Sequence, residues 1–189
     1  ALYLLHERGR SMQEAVPSGE GSMLAVMGMK SKDIQEYIKK IGNKFGVCEI
    51  ANDNSDNQTI LSGHKKALEE ISKILKIDKK KSIFLPVSAP FHCSLMRPAS
   101  EKMREKINNT VFENPNIDLV SNVTAKNTKD ANEIKNLLIM QIFSKVRWRE
   151  SVLFMIENQV NEFIEIGPGK VLSGLIKRID AKVLSKSVN

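Results

Sequence analysis

Residues 20–86 alternate between short apolar runs and amphipathic helical patterns, and this alternation limits the possible folds more than any other feature. Four runs have the length and the side chains of strands, at 23–29, 47–51, 58–62 and 83–87. Between them, one helical pattern begins at a capping Ser31 and ends at Gly42, and a second follows Gly63. The order strand, helix, strand, strand, helix, strand predicts a ferredoxin-like unit with a core of its own.

The segments on either side of this unit follow a different pattern. Residues 1–15 predict a helix, which stops at Pro17-Ser18-Gly19. After Pro86, helices are predicted at 98–108, 130–143, 148–157 and from 171, and strands at 117–123, 162–166 and 181–184. Strands that alternate with helices predict an α/β arrangement with a parallel sheet covered on both faces, in which 162–166 is a buried strand. We therefore expect a large subdomain at 1–19 and 87–189 and a small one at 20–86.

The composition limits the partners and the compartment. The net charge is +7, but only 5% of residues are aromatic, so the ferredoxin-like unit is a poor candidate for stacking on nucleic acid bases. No apolar run approaches the roughly 20 residues that span a bilayer. The two cysteines form neither a disulfide framework nor a metal-binding pattern. We expect no metal, no nucleic acid, no membrane and a cytoplasmic location.

His92 is the first candidate for chemistry, because it follows a predicted strand in the loop where α/β sheets place their ligands. It is either a general base or a loop histidine satisfied by backbone groups. Cys93 beside it is interpreted as a small packed side chain. The planar guanidinium of Arg8 could bind a carboxylate through two parallel hydrogen bonds. Arg8 could equally be an exposed arginine on the surface of the first helix.

Other polar positions have simpler interpretations. Asp53 and Asp56 are predicted to lie in the Asn-, Asp- and Ser-rich turn between the two middle strands. Gly167-Pro168-Gly169 reads as a tight turn from a strand into a helix. No serine occupies a Gly-x-Ser-x-Gly elbow. The chain therefore offers a candidate base without a candidate nucleophile.

Five groups of motifs occur in order along essentially the whole chain: RGRSMQEAVP at 8–17 with GSMLAV at 21–26, NDNS at 52–55 with QTILSG at 58–63, LPVSAPFHCSLM at 85–96, VRW at 146–148 and EIGPGKVLSGL at 165–175. Together they resemble the malonyl-CoA:acyl-carrier-protein transacylase family of fatty-acid synthesis. The resemblance is to a C-terminal portion, since the family's serine elbow and a glutamine/glycine segment of its oxyanion hole belong upstream. The opening helical pattern, which has no initiator methionine or N-cap, fits that expectation.

The resemblance implies an α/β-hydrolase-like parallel-sheet subdomain, incomplete here, interrupted by the ferredoxin-like one. It implies ping-pong transfer of malonyl from malonyl-CoA, a substrate, to acyl carrier protein, with no permanently bound cofactor. By position, His92 matches the catalytic histidine and Arg8 the arginine that holds the malonyl carboxylate. Gln141 matches the residue whose backbone carbonyl orients the histidine, and Met12 and Phe91 match pocket positions.

Two consequences are expected from a base without a nucleophile. The chain alone should transfer no malonyl group, because no covalent route exists. It should also be prone to aggregation, because sheet edges and helix faces lack cover. The alternative to a transacylase part is a non-catalytic module that binds the carrier protein or another partner.

Overall fold

The computed structural model describes residues 1–188 and begins with helix α1 (Leu2–Gln13). A four-stranded antiparallel sheet follows, in the order β2-β3-β1-β4. Its elements are β1 (Gly21–Met27), α2 (Ser31–Ile41), β2 (Cys48–Ser55), β3 (Gln58–His64), α3 (Lys65–Ile77) and β4 (Lys81–Phe84). This element order and strand order confirm the predicted ferredoxin-like arrangement.

Both faces of this sheet are covered by apolar side chains. On one face, α2 and α3 present side chains at helical spacing to the strands, because their apolar residues recur every three or four positions. The resulting core includes Leu24, Val26, Leu61, Ile34, Ala67, Leu68, Ile71 and Leu75. On the other face, Met23, Ala25, Ala51 and Ile60 pack against Leu85, Val87 and Phe91, which belong to the segment that follows β4. That segment leads directly to His92.

Helices α4 and α5 form a second core with α1. Helix α4 (Arg97–Asn108) begins with a proline in its first turn, and α5 (Ala131–Gln141) is capped by Asp130, whose side chain accepts a hydrogen bond from the backbone N–H of Glu133 at 2.6 Å. Buried side chains join α1, α4 and the end of α5: Met12, Met96, Ala99, Met103, Ile107, Ile139 and Ile142. This packing fixes α1 beside the loop that carries His92.

The C-terminal part contains the parallel pairing. Short strands β5 (Leu119–Val120) and β6 (Asn127–Thr128) pair antiparallel, and α6 (Trp148–Glu157) follows α5. Strand β7 (Glu162–Ile166), helix α7 (Val171–Ile179) and β8 (Leu184–Val188) then form a βαβ unit with two parallel strands. No helix within residues 1–188 has the length and apolar character to cross a membrane.

Several predicted boundaries were wrong. The strand expected at 117–123 has only two residues, and the last strand begins at Leu184 rather than ending there. The strand at 162–166 is not buried, since Ile164 is 57% and Ile166 is 85% exposed. Only one face of β7 meets α7, so the apolar residues of its other face contact solvent instead of a second layer.

Two predictions about the ferredoxin-like unit were also wrong. Ser31 does not cap α2, because Lys30 is the N-cap residue and the Ser31 hydroxyl donates to Asp53 instead, at 3.2 Å. Strand β2 continues to Ser55, so Asp53 lies in a strand and only Asp56 lies in the turn. The polar sequence is typical of a turn, but an ion pair with Arg149 allows the buried strand to contain an aspartate.

Candidate active site

His92 lies in the loop between β4 and α4 and has a left-handed backbone, with φ at 58°. A non-glycine residue rarely adopts this conformation unless the surroundings impose it. Here the ring Nδ1–H donates to the carbonyl oxygen of Gln141, the last residue of α5, at 2.9 Å. Because a carbonyl oxygen only accepts, this bond leaves Nε2 with a free lone pair. The strained backbone and the bond to Gln141 together fix the ring in a form that can accept a proton.

The residues after His92 hold the loop in place. The Glu49 carboxylate on β2 accepts hydrogen bonds from the Ser94 backbone N–H at 2.9 Å and from the Ser94 hydroxyl at 2.5 Å. The fully buried Cys93 thiol donates to the carbonyl oxygen of Pro90 at 3.1 Å. Burial raises the pKa of Cys93, so this thiol is a packed side chain and a poor nucleophile.

Arg8 lies on α1, half-buried, and its guanidinium has no hydrogen bond or ion pair with any residue in 1–188. The neighbouring acid does not neutralise it, because Glu7 already pairs with Arg10 at 2.8 Å and with Lys106 at 2.9 Å. A half-buried guanidinium that lacks an internal partner is an unusual cost for a protein, since buried charges are normally paired. Arg8 is therefore available for an anion from outside the chain.

Arg8, His92 and Gln141 line one cavity of about 300 Å³. Strand β2 contributes Asn52 and Asn54 to the wall. The rest of the lining is Asn122, Val146, Trp148, Leu172 and Leu175. Among the described residues, no hydroxyl or thiol side chain lines this cavity, and no cluster of three or more His, Cys, Asp or Glu side chains forms a metal site anywhere.

Met12 and Phe91 do not belong to that lining. Met12 is 3% exposed in the core between α1 and α4, and Phe91 packs against both that core and the underside of the four-stranded sheet. Each lies within one turn or one residue of a cavity residue, Arg8 or His92. Their role as pocket residues remains a prediction.

The electrostatics keep the two key groups in different charge states. Burial lowers the pKa of His92 below its usual 6.5, and the positive charge of Arg8 lowers it further, while the hydrogen bond to Gln141 acts in the opposite direction. Burial also lowers the pKa of Arg8, but a guanidinium stays charged in proteins. At neutral pH, the neutral imidazole of His92 therefore lines the same cavity as the positively charged guanidinium of Arg8. This arrangement can hold an anionic group while Nε2 accepts a proton.

Sequence reasoning missed most of the cavity wall. The sequence motifs contain Asn52, Asn54 and Trp148 but do not indicate that they line a cavity. For the two asparagines a signal exists, because residues two apart on a strand lie on the same face. The interpretation of Asp53 as a turn residue was wrong. It is 1% exposed and binds Arg149, which the sequence had not singled out.

The chain is similar along its whole length to curated transacylases. It is 38% identical to the malonyl CoA-acyl carrier protein transacylase of Bacillus subtilis (strain 168), over 100% of this chain and 60% of that protein. Identity to the enzyme of the same name from Escherichia coli (strain K12) is 36%, over 100% and 61%. The chain thus spans about three-fifths of the length of these relatives. No protein-family model matches it.

Solved structures have the same fold. The malonyl CoA-acyl carrier protein transacylase from Clostridium perfringens matches with a TM-score of 0.95 at 40% identity, over 99% of this chain and 59% of that one. A malonyl-transacylase in complex with a type II PKS acyl-carrier protein matches with a TM-score of 0.94 at 37% identity, over 100% and 61%. These matches confirm the predicted mixed α/β fold.

Proposed function

We propose that this chain, a homologue of malonyl CoA-acyl carrier protein transacylases over its whole length, supplies the base and the carboxylate-binding group of a malonyl-transfer site. One observation carries the proposal. Arg8, a half-buried guanidinium with no partner within residues 1–188, lines the same cavity as His92, whose Nδ1 is engaged by Gln141. A substrate that bears a carboxylate and reacts through proton transfer can use both groups.

The proposed reaction of the whole transacylase has two acyl transfers. A serine hydroxyl, which is not among the cavity residues of this chain, attacks the thioester carbonyl of malonyl-CoA, and the CoA thiolate leaves. Nε2 of His92 takes the serine proton and gives it to that thiolate. The phosphopantetheine thiol of acyl carrier protein then attacks the acyl-serine, and His92 carries the thiol proton back to the serine oxygen. Gln141 holds the tautomer that makes both steps possible.

Arg8 accounts for the choice of malonyl over acetyl. Two parallel N–H···O bonds from its fork fit a carboxylate, and an acetyl group offers no partner for them. A site built for a charged group discriminates against a ligand that lacks it, because the guanidinium then remains unpaired. Malonyl-CoA is therefore proposed as a substrate, and no permanently bound cofactor takes part.

The remaining parts of the proposal concern partners and organisation. Acyl carrier protein is proposed as the second substrate, since one solved relative is bound to such a carrier, and the charge of +7 would speed association with an acidic partner. We further propose a cytoplasmic location. The division into a large subdomain at 1–19 and 87–189 and a small one at 20–86 fits the closed core of the four-stranded sheet.

Calorimetric titration with malonyl-CoA and acetyl-CoA tests the role of Arg8. The wild-type chain is expected to bind malonyl-CoA more tightly. Arg8→Gln should weaken malonyl-CoA binding by about 1.5–3 kcal/mol, the usual worth of hydrogen bonds to a charged group, which is roughly 10- to 150-fold in Kd. Acetyl-CoA binding should change little.

Arg10→Gln is the matched control, because Arg10 lies on the same helix and pairs with Glu7 outside the cavity. It should leave the preference for malonyl-CoA unchanged. Equal affinity of the wild-type chain for both thioesters, or an Arg8→Gln variant that still prefers malonyl-CoA, would contradict the proposal.

A second candidate function is a non-catalytic module that binds acyl carrier protein. The absence of any hydroxyl or thiol side chain from the cavity lining within residues 1–188 favours it. Incubation with labelled malonyl-CoA should leave the chain unlabelled under either function, because neither supplies a nucleophile from this chain. Stoichiometric acylation of the chain would contradict both. Titration with holo-acyl carrier protein at low salt then tests the binding module, and no detectable binding would contradict it.

A further inference from the structure

An ion pair with a buried carboxylate lies directly behind the cavity wall. Asp53, near the C-terminal end of β2, is 1% exposed, and its carboxylate accepts from Arg149 Nε at 3.2 Å and from Arg149 Nη2 at 3.1 Å. This is a bidentate pair, in which the planar fork fixes orientation as well as distance. The Ser31 hydroxyl adds a third bond to the same carboxylate, at 3.2 Å.

Backbone hydrogen bonds join the same two segments. The Asp53 N–H donates to the carbonyl oxygen of Val146 at 3.0 Å, and the Val146 N–H donates to the carbonyl oxygen of Ala51 at 2.7 Å. They form a single parallel bridge between Asn52 and Val146. These bonds attach the four-stranded sheet to the segment that enters α6. The ion pair between Asp53 and Arg149 holds the same two segments together on one side of the bridge, and we call this ion pair the clamp.

The residues next to this clamp form the wall of the cavity. Asn52 and Asn54 flank Asp53 in the sequence and line the cavity. Because successive side chains on a strand point to opposite faces, the side chain of Asp53 points away from the cavity. On the other side, Val146 and Trp148 line the cavity, and Trp148 immediately precedes Arg149. Both partners of the ion pair therefore sit one residue away from side chains that face Arg8 and His92.

We infer that Asp53 and Arg149 are positioning residues, whose ion pair sets the distance between the Asn52/Asn54 wall and Trp148 and so the width of the cavity. Neither side chain touches the ligand. The ligand assigned here rests on the proposed function, but the clamp itself does not. A merely structural ion pair would be replaceable by apolar side chains of similar size without effect on the cavity.

The decisive variant is therefore Asp53→Leu/Arg149→Met, which removes both charges and leaves neither one buried alone. Single variants such as Arg149→Gln leave an unpaired buried carboxylate and can fail to fold. Arg149→Lys, which keeps the charge but not the fork, serves as the conservative variant. Glu150→Gln is the matched control, since Glu150 lies on the same helix as Arg149 but pairs with Lys145 and Arg147 rather than with β2.

Trp148 is the single tryptophan of the chain and reports on the wall without any ligand. In the folded Asp53→Leu/Arg149→Met variant, acrylamide should quench its fluorescence more strongly than in the wild type, and the emission should shift to longer wavelength. Arg149→Lys should give an intermediate value, and Glu150→Gln should match the wild type. A double variant with wild-type quenching and emission would overturn the inference.

Binding of malonyl-CoA gives the second readout. The double variant should bind about tenfold more weakly than the wild type at matched stability, as expected for coupled neighbours. Unchanged affinity alongside changed fluorescence would also overturn the positioning role. If the wild-type chain binds no malonyl-CoA, the proposed function fails, while the fluorescence comparison still decides the clamp.

Discussion

The four-stranded sheet and the β7–α7–β8 unit are both built from strands joined by helices, yet they differ in how they are covered. In the first, α2 and α3 close one face and the segment after β4 closes the other. In the second, α7 covers one face, and Ile164, Ile166, Leu184 and Val188 on the other are all more than half exposed. The local sequence pattern therefore predicts that a segment forms a strand, whereas the burial of that strand depends on elements elsewhere in the chain.

The cavity draws on both regions. Asn52 and Asn54 come from the covered sheet, and Leu172 and Leu175 come from α7 of the partly uncovered unit. Stability within one protein is not uniform, and elements with few buried contacts open most readily. One wall of the site is therefore expected to be firmer than the other.

Truncation of a core side chain should show the largest difference between the regions. Leu68 on α3 is fully buried, and Leu68→Ala should lower the free energy of unfolding by about 2–5 kcal/mol, because it removes buried methyl groups and leaves a cavity. Ile166 on β7 is 85% exposed, so Ile166→Ala should change it by less than about 0.5 kcal/mol. Urea unfolding of the three proteins measures this difference, and similar losses for both variants would break the comparison.

Two glycines should give effects of opposite sign. A Cβ on Gly63 in β3 would collide with the backbone carbonyl of Val47, so Gly63→Ala should destabilise the chain by about 1–3 kcal/mol. Gly174 lies inside α7, and a Cβ added there would meet no atom outside the helix's own backbone within 4 Å, so Gly174→Ala should stabilise by about 0.5–1 kcal/mol. Thermal melts of both variants test this, and destabilisation by Gly174→Ala would mean that α7 is not the regular helix described.

Acid should weaken the chain through His92. Because the folded protein lowers the pKa of His92, the unfolded chain binds a proton first as the pH falls. The contribution of His92 to stability is then present above its usual value of 6.5 and is lost as the pH falls from there towards the lowered value. His92→Asn, which also tolerates the left-handed backbone, should reduce the loss between pH 7.5 and 5.5. An equal loss in both proteins, measured by urea unfolding, would refute this effect.

A charge placed on the exposed face of β7 should change the free energy of unfolding very little, but it should clearly reduce self-association of the chain. Ile164→Lys places a cation on the exposed side of β7, where it should alter the unfolding free energy by less than about 0.5 kcal/mol. It should also reduce concentration-dependent light scattering, because an exposed apolar strand face promotes association. A wild-type chain that stays monomeric at high concentration would show that this face is harmless.

The sequence predicted most of the local structure and part of the site. The β-α-β-β-α-β order followed from periodicity and turn residues, since these are local properties. The exposure of one face of the strand at 162–166 could not be predicted in this way, because burial depends on contacts between distant segments. His92 was singled out from its position after a strand, and the role of Gln141 was implied only by resemblance to a family.

Asp53 shows why the rest could not be predicted. Asn, Asp and Ser in succession favour a turn, and nothing local distinguishes that from a strand whose aspartate is buried. The difference lies in Arg149, which is 96 residues away in sequence and pairs with Asp53 behind the cavity wall. An ion pair of this kind becomes visible only once the fold brings its partners together.

His92, neutral at neutral pH, and Arg8, a charged guanidinium without a partner in residues 1–188, line one cavity, and NMR titration of the histidines tests this arrangement. The chain has three histidines, His6, His64 and His92, so His92→Asn assigns the relevant signal. We expect a His92 pKa below 6.5 that rises in Arg8→Gln, and that rises in the wild type when malonate binds, because each change removes or offsets the positive charge. A His92 pKa at or above 6.5 that responds to neither change would contradict the account.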